Sequence, residues 1–89
     1  MRIEFEHSKD PVRIRCAIHD ARYLDQIKKH ALFELHYAEI TNVTICSLTT
    51  DNNTLLATGF SFCSESDQFS RRRGRLISEG RAKKNLKAI

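Results

Sequence analysis

A chain of 89 residues with 40% apolar content, seven aromatics, one Pro and three Gly supports one folded domain, residues 1–89, and excludes both a multidomain protein and a disordered tail. The formal net charge is +4, and no run approaches the ~18 apolar residues of a membrane span, so no membrane partner is expected. No charged-then-apolar leader follows Met1, which makes a cytoplasmic location the expectation.

Residues 2 to 7 alternate, with Ile3 and Phe5 on one side and Arg2, Glu4 and Glu6 on the other, and Ser8-Lys9-Asp10-Pro11 reads as a turn. Val12 to His19 repeats the alternation through Val12, Ile14, Cys16 and Ile18. The two runs are predicted to form a hairpin that sets Glu6 against Arg13, Phe5 against Ile14 and Glu4 against Arg15. Asp20 is the predicted N-cap of a helix from about Ala21, carried by Leu24, Ile27, Ala31 and Leu35. Residues 32 to 38 read equally as the end of that helix or as a strand, because Phe33, Leu35 and Tyr37 alternate with Glu34 and His36.

A second hairpin is expected from residues 41–50 and 54–63 about Asp51-Asn52-Asn53, whose asparagines tolerate positive φ. Its register sets Val43 opposite Phe62, Ile45 opposite Phe60 and Thr49 opposite Leu56 on one face. Thr44 then faces Ser61, and Cys46 faces Gly59, on the other. The cysteines, Cys16, Cys46 and Cys63, are odd in number and lie in apolar strand-like runs, which argues against a disulfide framework. Cys16 and His19 have C-x2-H spacing but no second ligand pair, so neither a metal nor another cofactor is expected.

The last quarter of the chain, Glu65 to Ile89, holds eight of the fifteen Lys and Arg residues against three acids, whereas residues 1–64 hold seven bases and eight acids. All of the excess positive charge is therefore terminal. Ser64-Glu65-Ser66-Asp67 carries the S-x-x-D capping signature and predicts the start of a final helix. Its inward stripe is read through Phe69, Leu76, Ile77, Gly80 and Leu86. Gly80 is then expected to mark a tight crossing of the sheet, and Gly74, on the polar side, the close approach of a partner. The candidate contacts to a polyanion are Arg71, Arg72, Arg73, Arg75, Arg81, Lys83, Lys84 and Lys87. Arg dominates between 71 and 81, and its planar fork suits phosphate or carboxylate.

Residues 59–82 resemble the end of small phage and prophage proteins that finish with a strand, a Cys and then D-x-F-S-R-x-x-G-R-x-I-x-x-G-R-A. The matching positions are Cys63, Asp67, Phe69, Ser70, Arg71, Gly74, Arg75, Ile77, Gly80, Arg81 and Ala82. The resemblance covers about a quarter of the chain. It implies a viral accessory protein aimed at host nucleic-acid machinery such as a CRISPR effector, and it brings no active site with it. With residues 32–38 as a strand, the order from Asp20 onward is also similar to a double-stranded RNA-binding domain. In that family the last helix opens with a lysine pair, where this one opens with Glu65 and Asp67.

No nucleophile elbow, phosphate-cradling Gly loop or H-E-x-x-H occurs, and the histidines are scattered. Cys63, beside a helix start, is the one thiol with a case for catalysis, and the nearby Glu65 and Asp67 oppose its thiolate. The expected fold is α+β: an antiparallel sheet of four to five strands packed by one face against two helices, the C-terminal one long and basic. The expected function is non-enzymatic binding of nucleic acid or a host nucleoprotein complex. The alternatives are an anti-CRISPR-like inhibitor docking on an acidic host protein and a double-stranded RNA binder. The strand Arg2 to His7 also offers an edge able to pair with a copy of itself, giving a homodimer.

Overall fold

The computed structural model describes residues 1–23, 40–64 and 70–87. The elements run β1 (Arg2–Ser8), α1 (Pro11–Tyr23), β2 (Ile40–Thr49), β3 (Leu55–Ser64) and α2 (Arg71–Lys87). The fold is α+β, with an antiparallel sheet in the order β1-β2-β3. Among the described residues the sheet has three strands. The expected four to five are not seen, because Val12 to His19 is helix and residues 32–38 lie outside the described residues, as does most of the helix expected from Ala21.

The helix over Pro11–Tyr23 replaces the predicted first hairpin, and its cause is visible in sequence. Pro11 occupies the first helical position, where its missing N–H is not needed. Asp10 is the N-cap: the Val12 N–H donates to Asp10 Oδ1 (3.0 Å) and the Ile14 N–H to the Asp10 carbonyl (2.9 Å). Ile14, Ala17, Ile18 and Ala21 form a helical stripe and are all buried, whereas Val12 and Cys16, which the alternation reading placed inward, are exposed. The two alanines decide the period. Asp20 sits inside this helix and caps nothing. The predicted contact between Glu6 and Arg13 survives in another form, reaching from helix to strand: Arg13 Nε lies 2.9 Å from Glu6 Oε2 and Nη2 3.2 Å from Oε1. That hydrogen bond holds the Glu6 carboxyl below its usual range.

Strand β1 pairs with β2 instead, Ile3 opposite Leu48, Phe5 opposite Cys46 and His7 opposite Thr44. The β2–β3 hairpin has the expected register through Val43–Phe62, Thr44–Ser61, Ile45–Phe60 and Cys46–Gly59, and Asn53 has φ 64°. A register shift after Leu48 sets Thr49 opposite Leu55 rather than Leu56.

The helices lie on opposite faces of the sheet, not together on one. Val43, Ile45 and Phe60 pack against Ile14, Ala17, Ile18 and Ala21 of α1, with Ile40 and Phe62 at the margin. Phe60 and Phe62 stack with centroids 6.2 Å apart. Cys46, Leu48 and Ala57 pack against Ala82 of α2, with Leu56 and Leu86 beside them. Each well-buried Ile, Val, Leu or Phe in these layers contributes roughly 1.5–3 kcal/mol relative to exposure.

Helix α2 comes closest to the sheet at two glycines. A Cβ on Gly59 of β3 would fall on the Ser78 carbonyl oxygen and the Ala82 amide nitrogen, and one on Gly74 of α2 would fall on Thr44 Oγ1. Gly59→Ala is expected to destabilise the fold by roughly 3 kcal/mol, because the obstructing atoms are backbone and cannot rotate away. Urea unfolding measures this, and a loss too small to resolve would show that α2 does not sit on β3 as described.

Candidate nucleic-acid interface

Helix α2 begins at Arg71 rather than near Glu65. Ser70 caps it, its carbonyl accepting from the Gly74 N–H (2.9 Å) and its Oγ from the Arg73 N–H (3.3 Å). The capping signature at Ser64 to Asp67 falls mostly on residues outside the described ones.

The inward stripe is Gly74, Ser78 and Ala82, four residues apart and all buried. The buried Ser78 hydroxyl donates back to the Gly74 carbonyl (2.7 Å) and lies 3.3 Å from that of Arg75, so it carries no unmet polar cost. This reverses the expected roles of the two helix glycines. Gly74 makes the close approach to the sheet, while Gly80 is exposed with nothing within 4 Å of where its Cβ would stand. Leu76, also expected inward, is 65% exposed. The sequence reading followed the large apolar side chains, but the packed stripe is built of small ones, which let the helix backbone approach the strands.

With that stripe inward, the predicted contact residues divide. Arg71, Arg72, Arg73, Arg75, Lys84 and Lys87 are exposed, and among the described residues no carboxylate pairs with them. Lys83 is exposed but bonds Glu79 at 2.8 Å, which raises its pKa. Arg81 is turned inward: its Nη1 donates to the Phe60 carbonyl at 2.6 Å, and burial pulls its pKa below the usual range without discharging it. Asn85 does the same one turn on, Nδ2 donating to the Thr58 carbonyl at 2.8 Å. These two residues fasten α2 to β3 and are structural.

Three arginines in the first turn, with no acid among them, set positive charge against the positive end of the helix dipole. They work against helix stability. The same turn gathers cationic forks at the positive end of the helix, the arrangement that a phosphate or carboxylate would satisfy.

His7 belongs to this neighbourhood, and sequence reasoning did not find it. Its Nδ1 lies 2.9 Å from Thr44 Oγ1. Its pKa is lowered by burial first and then by the charges of Arg71 and Arg75. No local pattern ties residue 7 to residues 71 and 75; only the pairing of β1 with β2, under α2, brings them together.

Cys63, the thiol with a case for catalysis, is half-buried and pairs in register with Asn42. Cys46 is buried, which pushes its thiol up to about 11. Cys16 and His19 lie on the exposed side of α1, where His19 Nδ1 is 3.8 Å from Asp20 Oδ1. No described helix is long and apolar enough to cross a membrane. Compared with protein families, curated proteins and solved structures, the chain matches none.

Two outcomes follow from this arrangement. Gly80→Ala is expected to stabilise the protein by roughly 0.5–1 kcal/mol, since the site is open and alanine is the better helix former; a lower thermal midpoint would mean that Gly80 faces packed atoms. For His7 the folded-state pKa lies below the ordinary 6.5, so as pH falls past 6.5 the unfolded chain binds a proton that the folded one resists, and stability drops. His7→Gln flattens this drop in urea unfolding on either side of 6.5. An unaltered slope would mean that neither burial nor the arginines hold the His7 pKa down.

Proposed function

We propose that this chain is a non-enzymatic binding protein that grips nucleic acid, or a nucleoprotein complex, through the exposed basic side chains of α2. The observation that carries the reading is the set of arginines around the start of that helix. Arg71, Arg72, Arg73 and Arg75 are exposed and unpaired among the described residues, and three of them oppose the dipole of the helix they stand on. A solvated face chosen for solubility would place such charges at the other end of the helix, where Lys84 and Lys87 already are.

The motif that resembles phage accessory proteins divides in the same way. Ser70 caps α2, Gly74 and Ala82 meet the sheet, and Arg81 bonds the Phe60 carbonyl. Arg71, Arg75 and Gly80 have no such duty to the fold, and they lie on exposed parts of the helix. This supports contact residues at Arg71, Arg72, Arg73 and Arg75, with Lys84 and Lys87 at the far end, about 20 Å along a helix that rises 1.5 Å per residue. It removes Arg81 from the contact set and leaves Lys83 shared with Glu79.

A second reading is favoured by Leu76 and Gly80. An exposed leucine beside an open glycine offers an apolar foothold that a phosphate backbone does not use, and an acidic protein groove does. In that case the protein is an inhibitor docking on a host protein of the nucleic-acid machinery, the partner class implied by the phage resemblance.

Titration with DNA and RNA duplexes and single strands across a salt series tests the first reading. Affinity is expected to fall by roughly 0.7–0.9 log units per log of salt for each phosphate engaged. Replacing Arg71, Arg72, Arg73 and Arg75 with Gln should flatten that slope while leaving the thermal midpoint unchanged or higher. Salt-insensitive or undetectable binding rejects it. A partner retained from nuclease-treated host lysate, and lost in Leu76→Lys, supports the second reading instead.

A further inference from the structure

The two edges of the sheet differ. Along β3 the carbonyls of Thr58 and Phe60 are occupied by the side chains of Asn85 and Arg81, so that edge is closed to another strand. From Arg2 to Glu6 of β1 nothing comparable exists among the described residues, and each of these positions is exposed.

The hairpin end shows which backbone groups face outward. The Thr50 N–H donates to the Thr54 carbonyl (2.9 Å), so alternation along β2 turns its even-numbered residues toward β3 and its odd-numbered ones toward β1. In register, Ser47 and Ile45 then bond Glu4 and Glu6 of β1. The outer edge of β1 accordingly presents the N–H and C=O groups of Ile3 and Phe5.

The side chains agree with an edge meant to be covered. Six large apolar residues are exposed in the described chain, and three of them, Met1 at 61%, Ile3 at 40% and Phe5 at 36%, recur at every second position here. In register, Ile3 and Phe5 share the face of Leu48 and Cys46, on the α2 side, but α2 lies over β2 and β3 and leaves them bare.

We propose that β1 pairs antiparallel with β1 of a second copy of this chain, in the register that sets Ile3 opposite Phe5 and is centred on Glu4. That register keeps the outward N–H and C=O groups of Ile3 and Phe5 paired and sets an acid opposite each Arg2. It brings Arg2 of each copy opposite Glu6 of the other, joins Ile3 and Phe5 as a hydrogen-bonded pair on each side of the axis, and makes one apolar patch from both copies. The two Glu4 carboxylates meet at the axis, each already bonded to its own Arg2 at 2.9 Å. Shifting the register by two residues toward Phe5–Phe5 sets Glu4 against Glu6 and leaves Arg2 without an acid. The product is a continuous six-stranded antiparallel sheet. Its two-fold axis is perpendicular to the sheet, so both α2 helices fall on the same side, about 19 Å apart at ~4.8 Å per strand.

Sedimentation velocity on the full chain from micromolar to millimolar concentration tests this. The expected result is a concentration-dependent shift to twice the 10.3 kDa chain mass, abolished in Phe5→Lys with the circular dichroism and thermal midpoint of the monomer kept. A monomer throughout the range overturns the proposal, and so does a dimer that persists in Phe5→Lys. Should that variant fail to fold, hydrogen exchange on the unaltered chain decides: protection of the Ile3 and Phe5 amides must rise with concentration, and constant protection overturns the pairing.

Discussion

Helix α2 rests on the sheet backbone to backbone, and most of what this protein presents to its surroundings depends on that contact. At Gly59 the strand has no side chain, so the turn holding Ser78 and Ala82 comes within contact distance of β3 itself; at Gly74 the helix has none, so Thr44 fills the space. Two glycines on facing elements, one on each, fix both the height and the rotation of the helix. Buried Ser78 and Ala82 complete the stripe, and Arg81 and Asn85 bind its flank to strand carbonyls. A helix seated by small residues keeps few large ones for its own packing, which explains why so much of its circumference is charged.

That seating sorts the bases. A guanidinium one residue before Ala82 is carried inward and spends its charge on a carbonyl, while those at 71, 72, 73 and 75 are carried out. The seating also draws β1 in, since His7 bonds Thr44 directly under Gly74 and feels Arg71 and Arg75. The basic end of the helix thus meets the edge strand at a single threonine, and burial together with the guanidinium charges at one lowers the pKa of the imidazole at the other.

Much of this was legible in the sequence. The β2–β3 hairpin was readable because Val43, Ile45, Phe60 and Phe62 alternate about an asparagine turn, and that local pattern leaves one register in which apolar meets apolar. The charge asymmetry and the long final helix were equally plain. The α1 segment misled because Val12, Ile14, Cys16 and Ile18 alternate strictly, and the helical stripe that wins is half alanine, a residue that hydrophobic alternation hardly weighs. The same bias inverted Gly74 and Gly80: Leu76 pulled the inferred stripe to the wrong side, when the buried side is made of Gly, Ser and Ala. The place of the helices on opposite faces was illegible for another reason. Both faces of β2 are apolar in sequence, Val43 and Ile45 on one, Cys46 and Leu48 on the other, and that pattern marks a middle strand without saying what covers each side.

The closure of the β3 edge by Arg81 and Asn85 bears on how far such sheets can grow. A sheet with two bare margins can add strands without end and lengthen into a fibre, whereas one with a single bare margin runs out of valence after one addition. By turning one of its many cations inward, the chain leaves β1 as the bare margin of its described sheet, so the pairing proposed above would stop at two copies.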